Sequence, residues 1–288
     1  MYVGKRNSGR ARLRTDQGPA LSVDEVARDA QRLAGEGGPD PARIAALAGN
    51  RPLLRIDGLH AGYGKMEILH GLNLQVAAGQ SLCLVGPNGA GKSTVLHSIY
   101  GFTRINAGSI RLGDIDVTRL PPNRKLKEAG IAYVLQDNSV FPDMSVEENL
   151  WMGGYLMPRL DEAKEAAERI FAKYPRLAAR RHQPARVLSG GERRLLEISR
   201  ALVMSPRVLL VDEPSIGLEP RYIDMVFEIL ADLQQSEGKA IVLVEQNAKK
   251  GLEFADIGYV LVSGTLAMAG TGRELLAHPE VGRLFLGG

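Results

Sequence analysis

From residue 53 onward, short apolar runs alternate with longer amphipathic stretches, and that alternation predicts a βα architecture. Residues 208–211 and 241–244 are wholly aliphatic, as expected of strands buried on both faces of a parallel sheet. Further strands are predicted at 53–59, 69–76, 80–85, 109–112, 131–135, 257–262 and 265–269. Helices are predicted from about residue 92, over 192–204, over 221–235 and in the tail. The stretch from about 145 to 188 reads as helical. Within it Ala163, Ala166, Ile170 and Tyr174 form an apolar stripe that Pro175 stops. The fold class expected is α/β: a largely parallel sheet covered on both faces, with a helical subdomain inserted at about 137–188.

The first 52 residues break this pattern and read as an N-terminal extension to a domain spanning 53–288. Lys5, Arg6, Arg10, Arg12 and Arg14 lie among glycine and serine, which predicts a disordered basic tip. Ser22 and Glu25 form a capping box before Val23, Val26, Ala30 and Leu33 at helical spacing. Asp40-Pro41 opens a second short helix that Gly49 closes. No secretory apolar segment is present, so the extension does not read as a signal peptide. Two roles stay open for it, an appendage lying on the core and an arm for a membrane surface or a partner.

Composition narrows the function classes. No apolar run approaches the ~20 residues of a membrane span. Lys and Arg (36) barely outnumber Asp and Glu (33) and are interspersed with them, so no nucleic-acid partner is expected. The single cysteine, Cys83, excludes an internal disulfide, fits a reducing compartment and sits in an apolar run that calls for packing. His60, His70, His97, His182 and His278 are scattered along the chain without metal-ligand spacing, so no histidine metal site is predicted.

The chemistry begins at residues 86–93, Gly86-Pro87-Asn88-Gly89-Ala90-Gly91-Lys92-Ser93, followed by Thr94. Between a predicted strand and a predicted helix, this glycine-rich spacing lets successive backbone N–H groups face phosphates at the positive end of the helix. Lys92 would reach the β- and γ-phosphates of ATP and the Ser93 hydroxyl would ligate Mg²⁺. The run at 208–211 delivers Asp212 and Glu213 to the carboxyl end of its strand, where ligands sit in open α/β sheets. Asp212 is the expected second magnesium ligand, and Glu213 the group that polarises the attacking water.

Leu188-Ser189-Gly190-Gly191-Glu192, coming between these two motifs, resembles the signature of ABC ATPases. The resemblance implies a P-loop NTPase core with a parallel sheet, a small antiparallel β-subdomain and the inserted helical subdomain. It implies that Ser189, Gly190, Gly191 and Glu192 grip the γ-phosphate of ATP held by a second subunit. Tyr63 resembles the aromatic residue that stacks on adenine. Gln136 resembles the glutamine that senses Mg²⁺ and links core to helical subdomain. Glu219 stands in the loop that meets the opposite subunit, where the family usually has aspartate. Gln246 occupies the position of the usual switch histidine; it can donate to a γ-phosphate oxygen but cannot titrate. Val244-Glu245-Gln246-Asn247-Ala248 and the tail from Ala255 to Gly288 are similar to one of the two ATPases of branched-chain amino-acid importers. What that likeness implies is a peripheral ATPase on the cytoplasmic face of the inner membrane. Its partners would be a sibling ATPase, in a heterodimer, two transmembrane permeases and a periplasmic solute-binding protein. A permease helix is expected to dock by Gln136 and the loop 138–144, which exposes Phe141. Gly191-Glu192-Arg193-Arg194 resembles the lipopolysaccharide-exporting ATPase, the second reading. A soluble ABC ATPase of DNA repair or translation is the third; it lacks support here, because neither a second cassette nor a coiled-coil insertion is visible.

Overall fold

The computed structural model describes residues 28, 29, 32, 38–49, 51–136 and 139–286. Two sheets form its frame. The first is antiparallel, with strand order β2-β1-β4-β5, from β1 (Leu54–Tyr63), β2 (Met66–Val76), β4 (Arg104–Leu112) and β5 (Ile115–Asp116). The second has six strands in the order β10-β9-β3-β8-β7-β6. Here β3 (Ser81–Val85), β6 (Ile131–Val134), β7 (Val208–Asp212), β8 (Ala240–Val244) and β9 (Ile257–Val262) run parallel, and β10 (Thr265–Thr271) closes the edge antiparallel.

The strands at 53–59 and 69–76 prove to be the ends of one long hairpin. Gly58, His60 and Gly62 break the apolar alternation between them, but three register shifts between Ile56 and Gly62 absorb the irregularity and keep the strands paired. The predicted strand at 109–112 likewise begins earlier, at Arg104.

Helix α1 (Pro41–Ala48) starts where Asp40 caps it, the carboxylate accepting from Ala42 N at 2.9 Å, and ends at left-handed Gly49. It buries Ile44 and Ala48, and Arg43 pairs with Glu274 at 2.5 Å. Asp29 reaches Arg283 at 2.7 Å. The predicted basic tip and the Ser22–Glu25 capping box lie outside the described residues.

Eight more helices of six residues or longer complete the described architecture: α2 (Lys92–Tyr100), α3 (Val146–Gly153), α4 (Leu160–Lys173), α5 (Gly190–Leu202), α6 (Pro220–Gln235), α7 (Ala248–Phe254), α8 (Gly272–Ala277) and α9 (Pro279–Phe285) at the end of the described chain. Pro175 ends α4, as its missing N–H requires, and opens a separate turn, Pro175–Ala178. The stripe on α4 packs inward through Ala163, Ala166 and Ile170, joined by Phe171.

Alternate residues of the central strands feed two apolar cores. Leu209 and Val211 of β7 face one, with α5 and α6; Val208 and Leu210 face the other, with α2 and the antiparallel sheet. Burial on both faces is why these strands read as unbroken apolar runs. Cys83 belongs to the first core, where loss of water pushes its thiol pKa far up and keeps it inert. Among the described residues no helix is long and apolar enough to cross a membrane.

Candidate functional site

The carboxyl ends of β3, β7 and β8 lie side by side, so the loops leaving them converge. The loop after β3 is held tight by Gly86: its φ is +151°, and a Cβ there would lie 2.1 Å from the carbonyl oxygen of Leu261. No side chain caps α2, whose N-cap is the left-handed Gly91, so the first-turn N–H groups face out of the helix. Lys92 folds over the loop, donating to the carbonyls of Gly86 at 2.8 Å and Pro87 at 3.0 Å. Burial lowers the Lys92 pKa, while Glu213 and Asp212 oppose that shift.

A cavity of about 550 Å³ opens here, lined among others by Asn88, Gly89, Gly91, Lys92, Ser93, Thr94, Gln136, Glu213 and Gln246. Residues as far apart in sequence as 88 and 246 thus share one site. Asp212, buried behind it, accepts from Ser93 Oγ at 3.3 Å and from Tyr133 Oη at 2.8 Å. Glu213 stands at the rim and accepts from Gln136 Nε2 at 3.0 Å. Its φ of +43° is strained for a side chain of this size, and its own N–H is tied to Val244 O at 2.8 Å. Burial and then Asp212 raise the Glu213 pKa, against the pull of Lys92. A carboxylate with raised proton affinity facing the cavity that the glycine-rich loop lines suits a general base. Ser93 Oγ, Asp212 and the Gln136 side-chain carbonyl form an all-oxygen donor set, which fits the hard cation Mg²⁺.

Tyr63 lies outside that lining, exposed at the hairpin tip, with its hydroxyl against His97 of α2. His97 in turn packs edge-on to Tyr133, ring centroids 5.8 Å apart. Glu219 is solvent-facing before α6 and pairs with Arg221 at 3.1 Å.

Two of the signature residues, Ser189 and Glu192, line a different cavity, of about 910 Å³, which shares no lining residue with the first. Ser189 caps α5: its hydroxyl accepts from Glu192 N at 3.3 Å, and the Glu192 carboxylate accepts from Ser189 N at 2.9 Å. Gly191 is required within the chain, because a Cβ would lie 2.1 Å from the Tyr222 ring. Gly190 is not: a Cβ there meets only Leu218, at an ordinary 3.5 Å.

Sequence reasoning missed three sets of residues that the fold brings to or near this site. Tyr133 is one, donating to Asp212 from the neighbouring strand. Arg194 of α5 is another. It donates to the carbonyls of Leu135 at 2.9 Å, Glu213 at 3.0 Å and Pro214 at 3.0 Å, and pairs with Glu197 at 2.8 Å. Glu197 also accepts from Ser139 N at 3.0 Å, just beyond Gln136. The third corrects the expectation of scattered histidines, for antiparallel pairing brings His60 and His70 to the same oxygen of Glu67, at 2.8 and 3.3 Å. Cross-strand partners leave no local mark in a sequence; only the register predicted in advance could have found them.

Comparison with known proteins identifies the family and the fold. The model of the ABC transporter family matches residues 69–216. The chain is 40% identical over 236 residues to the high-affinity branched-chain amino acid transport ATP-binding protein BraG of Pseudomonas aeruginosa, covering 82% of this chain and 100% of that protein. It is 38% identical to the probable branched-chain amino acid transport ATP-binding protein LivF of Archaeoglobus fulgidus, over 82% of this chain and 99% of that one. To the lipopolysaccharide export system ATP-binding protein LptB of Acidithiobacillus ferridurans it is 34% identical, over 82% and 97%. The crystal structure of a nucleotide-free ATP-binding cassette from an ABC transporter superposes with a TM-score of 0.72 at 26% identity, covering 82% of this chain and all of that one.

Proposed function

Because this chain belongs to the ABC transporter family of ATP-binding proteins, we propose that it is the ATPase energising import of branched-chain or similar hydrophobic amino acids. ATP hydrolysis coupled to transport is the family's chemistry. The observation that carries the reading is the single cavity shared by the phosphate loop, Gln136, Glu213 and Gln246.

In that cavity the N–H groups of residues 88–94 and the Lys92 ammonium hold the β- and γ-phosphates. Tyr63 turns to the adenine. Magnesium held by Ser93, Asp212 and Gln136 would supply charge neutralisation across the two phosphates. Glu213 orients the attacking water and takes its proton as the water oxygen bonds to the γ-phosphorus and the bond to the β–γ bridging oxygen breaks. Gln246 donates its amide N–H to a γ-phosphate oxygen in both protonation states of the reaction, since an amide does not titrate.

The γ-phosphate is completed from the other side by a second ATPase subunit. On this chain the corresponding grip is Ser189 with the Gly190 and Gly191 N–H groups, aimed at the partner's nucleotide, with Glu219 in the contact loop. Support comes from Ser189 lying outside its own chain's phosphate cavity, and from Gly190, whose lack of a side chain nothing inside the chain demands. The partners are a sibling ATPase, two permeases and a periplasmic solute-binding protein. The chain works as a peripheral subunit on the cytoplasmic face of the inner membrane, and its residues 1–52 are an extension outside the ATPase domain. A cleft of about 530 Å³ between core and helical insertion, with Phe141, Met152 and Tyr155 exposed in it, receives a short permease helix.

Identity supports the importer over the lipopolysaccharide exporter, at 40% against 34%. The exporter reading keeps the string Gly191-Glu192-Arg193-Arg194 in its favour. Purifying the chain from salt-washed membranes and identifying the membrane proteins that stay with it decides between them. Two permeases whose co-expression restores leucine uptake are expected. Recovery with an exporter's membrane subunits, or no retention on membranes, overturns the proposal.

A further inference from the structure

The bulged pairing of β1 and β2 places His60, Glu67 and His70 on one patch of the antiparallel sheet. One oxygen of Glu67, Oε1, lies 2.8 Å from His60 Nδ1 and 3.3 Å from His70 Nδ1. The other, Oε2, accepts from Asn106 Nδ2 of β4 at 2.7 Å. One donor atom from each of the three residues lies within 4.8 Å of the other two, the one such group of His, Cys, Asp or Glu found among the described residues. We propose that these three side chains bind a divalent transition-metal ion of the zinc class, at a site separate from the nucleotide.

Geometry and donor chemistry support the assignment. Zinc bonds to imidazole nitrogen and carboxylate oxygen run at about 2.0–2.2 Å, so tetrahedral ligand atoms sit roughly 3.3–3.5 Å apart. The observed spacings, 2.8 and 3.3 Å to the carboxylate oxygen with all three donor atoms within 4.8 Å, are close to that arrangement. Two nitrogens and one oxygen suit zinc, cobalt or nickel and do not suit magnesium, which takes oxygen ligands in octahedral geometry. The side chains are about a third to a half exposed, which leaves the fourth position to water. Asn106 fixes the carboxylate so that Oε1 faces both rings, the outer-shell arrangement that metal carboxylates use.

The site would pin together β1, β2 and β4, beneath a hairpin whose tip carries Tyr63. His70 N–H donates to Gly264 O at 2.9 Å, and Gly264 N–H to Ala90 O at 2.9 Å, so two backbone bonds separate the site from the phosphate loop. The ion therefore braces the adenine side of the nucleotide site without entering it.

The test is a titration of the untagged full chain with Co²⁺ and then Zn²⁺ in excess Mg²⁺. Expected are one saturable equivalent with a cobalt absorption spectrum of low coordination number, displacement by Zn²⁺, and at least tenfold weaker binding in His60→Ala and His70→Ala. Asn106→Ala should weaken binding about 10–100-fold. No saturable spectrum, or the same spectrum and stoichiometry in the double histidine variant, overturns the proposal. Should the variants fail to fold, ethoxycarbonylation of histidines in the wild-type chain by diethylpyrocarbonate, mapped by mass spectrometry, gives the answer. Zn²⁺ should protect His60 and His70 but not His182; equal modification with and without Zn²⁺ refutes the site.

Discussion

Replacing Arg194 by alanine should damage this protein more than any single change on its surface. The guanidinium and its partner Glu197 are each about 5% exposed, and the pair is 2.8 Å apart. Arg194 also donates to three backbone carbonyls, those of Leu135, Glu213 and Pro214. Truncation leaves Glu197 a buried charge without its ion-pair partner, held by the Ser139 N–H with the Arg200 charge nearby, and leaves the carbonyls without that donor. Breaking a buried pair from one side costs about 3–5 kcal/mol. At about 2–4 °C per kcal/mol for a domain of this size, the melting temperature should fall by about 6–20 °C. Differential scanning calorimetry without nucleotide measures it. A double-mutant cycle with Glu197→Ala separates the cause, because removing both charges should cost less than removing Arg194 alone. In folded Arg194→Lys, which keeps the charge but loses the planar fork, kcat should fall while KM for ATP changes little, since the lost anchor holds the Glu213 backbone. A loss under about 1 kcal/mol in Arg194→Ala, or additive costs in the cycle, would refute the argument.

Three further outcomes follow from the site. Glu213→Gln should bind ATP normally yet hydrolyse it about 10²–10⁴-fold more slowly, read by nucleotide binding beside phosphate release; unchanged turnover removes Glu213 from the base role. Gly191→Ala should be strongly destabilised by the Tyr222 ring, whereas Gly190→Ala should melt like wild type and lose ATP-dependent association with its partner subunit; light scattering and calorimetry tell the two apart. Glu192 has its pKa lowered, chiefly by the Ser189 N–H, so the stability it adds is complete above the unfolded value of about 4.3 and is lost as pH falls through the lower folded value. Glu192→Gln, which keeps the cap but cannot titrate, should flatten the acid limb of the melting curve between roughly pH 5 and 3.

Legibility in the sequence followed the range of the interaction. The phosphate loop, the acids ending β7 and the capped start of α5 are local, each made by consecutive residues whose backbone geometry their own chemistry dictates. They were readable for that reason. Strands β8 and β9 fell where predicted, because burial on both faces leaves unbroken aliphatic runs with sharp ends. The hairpin of β1 and β2 was read only in part, since bulges at Gly58–Gly62 destroy the period that marks a strand. Tyr133, Arg194 and the His60–Glu67–His70 group stayed hidden for another reason: each depends on a residue that the fold brings back from another strand or loop, or on backbone carbonyls that any residue could supply.

Arg194 also bears on how two half-sites can act as one. Helix α5 begins at Ser189, the group proposed to meet the partner's nucleotide, and little more than one turn later Arg194 holds the carbonyl of Glu213, the base proposed for this chain's own nucleotide. A buried, multiply bonded guanidinium in a close-packed core is a stiff link. Displacement of α5 by the partner's phosphate must therefore either carry the backbone of Glu213 with it or break bonds whose loss costs several kcal/mol. Glu213 already sits at a strained φ of +43°, where small backbone shifts re-aim the carboxylate. On the proposed function, closing the interface on one nucleotide and aiming the base at the other become one movement, and Glu197, bonded to the Ser139 N–H, ties the same helix to the cleft at Phe141.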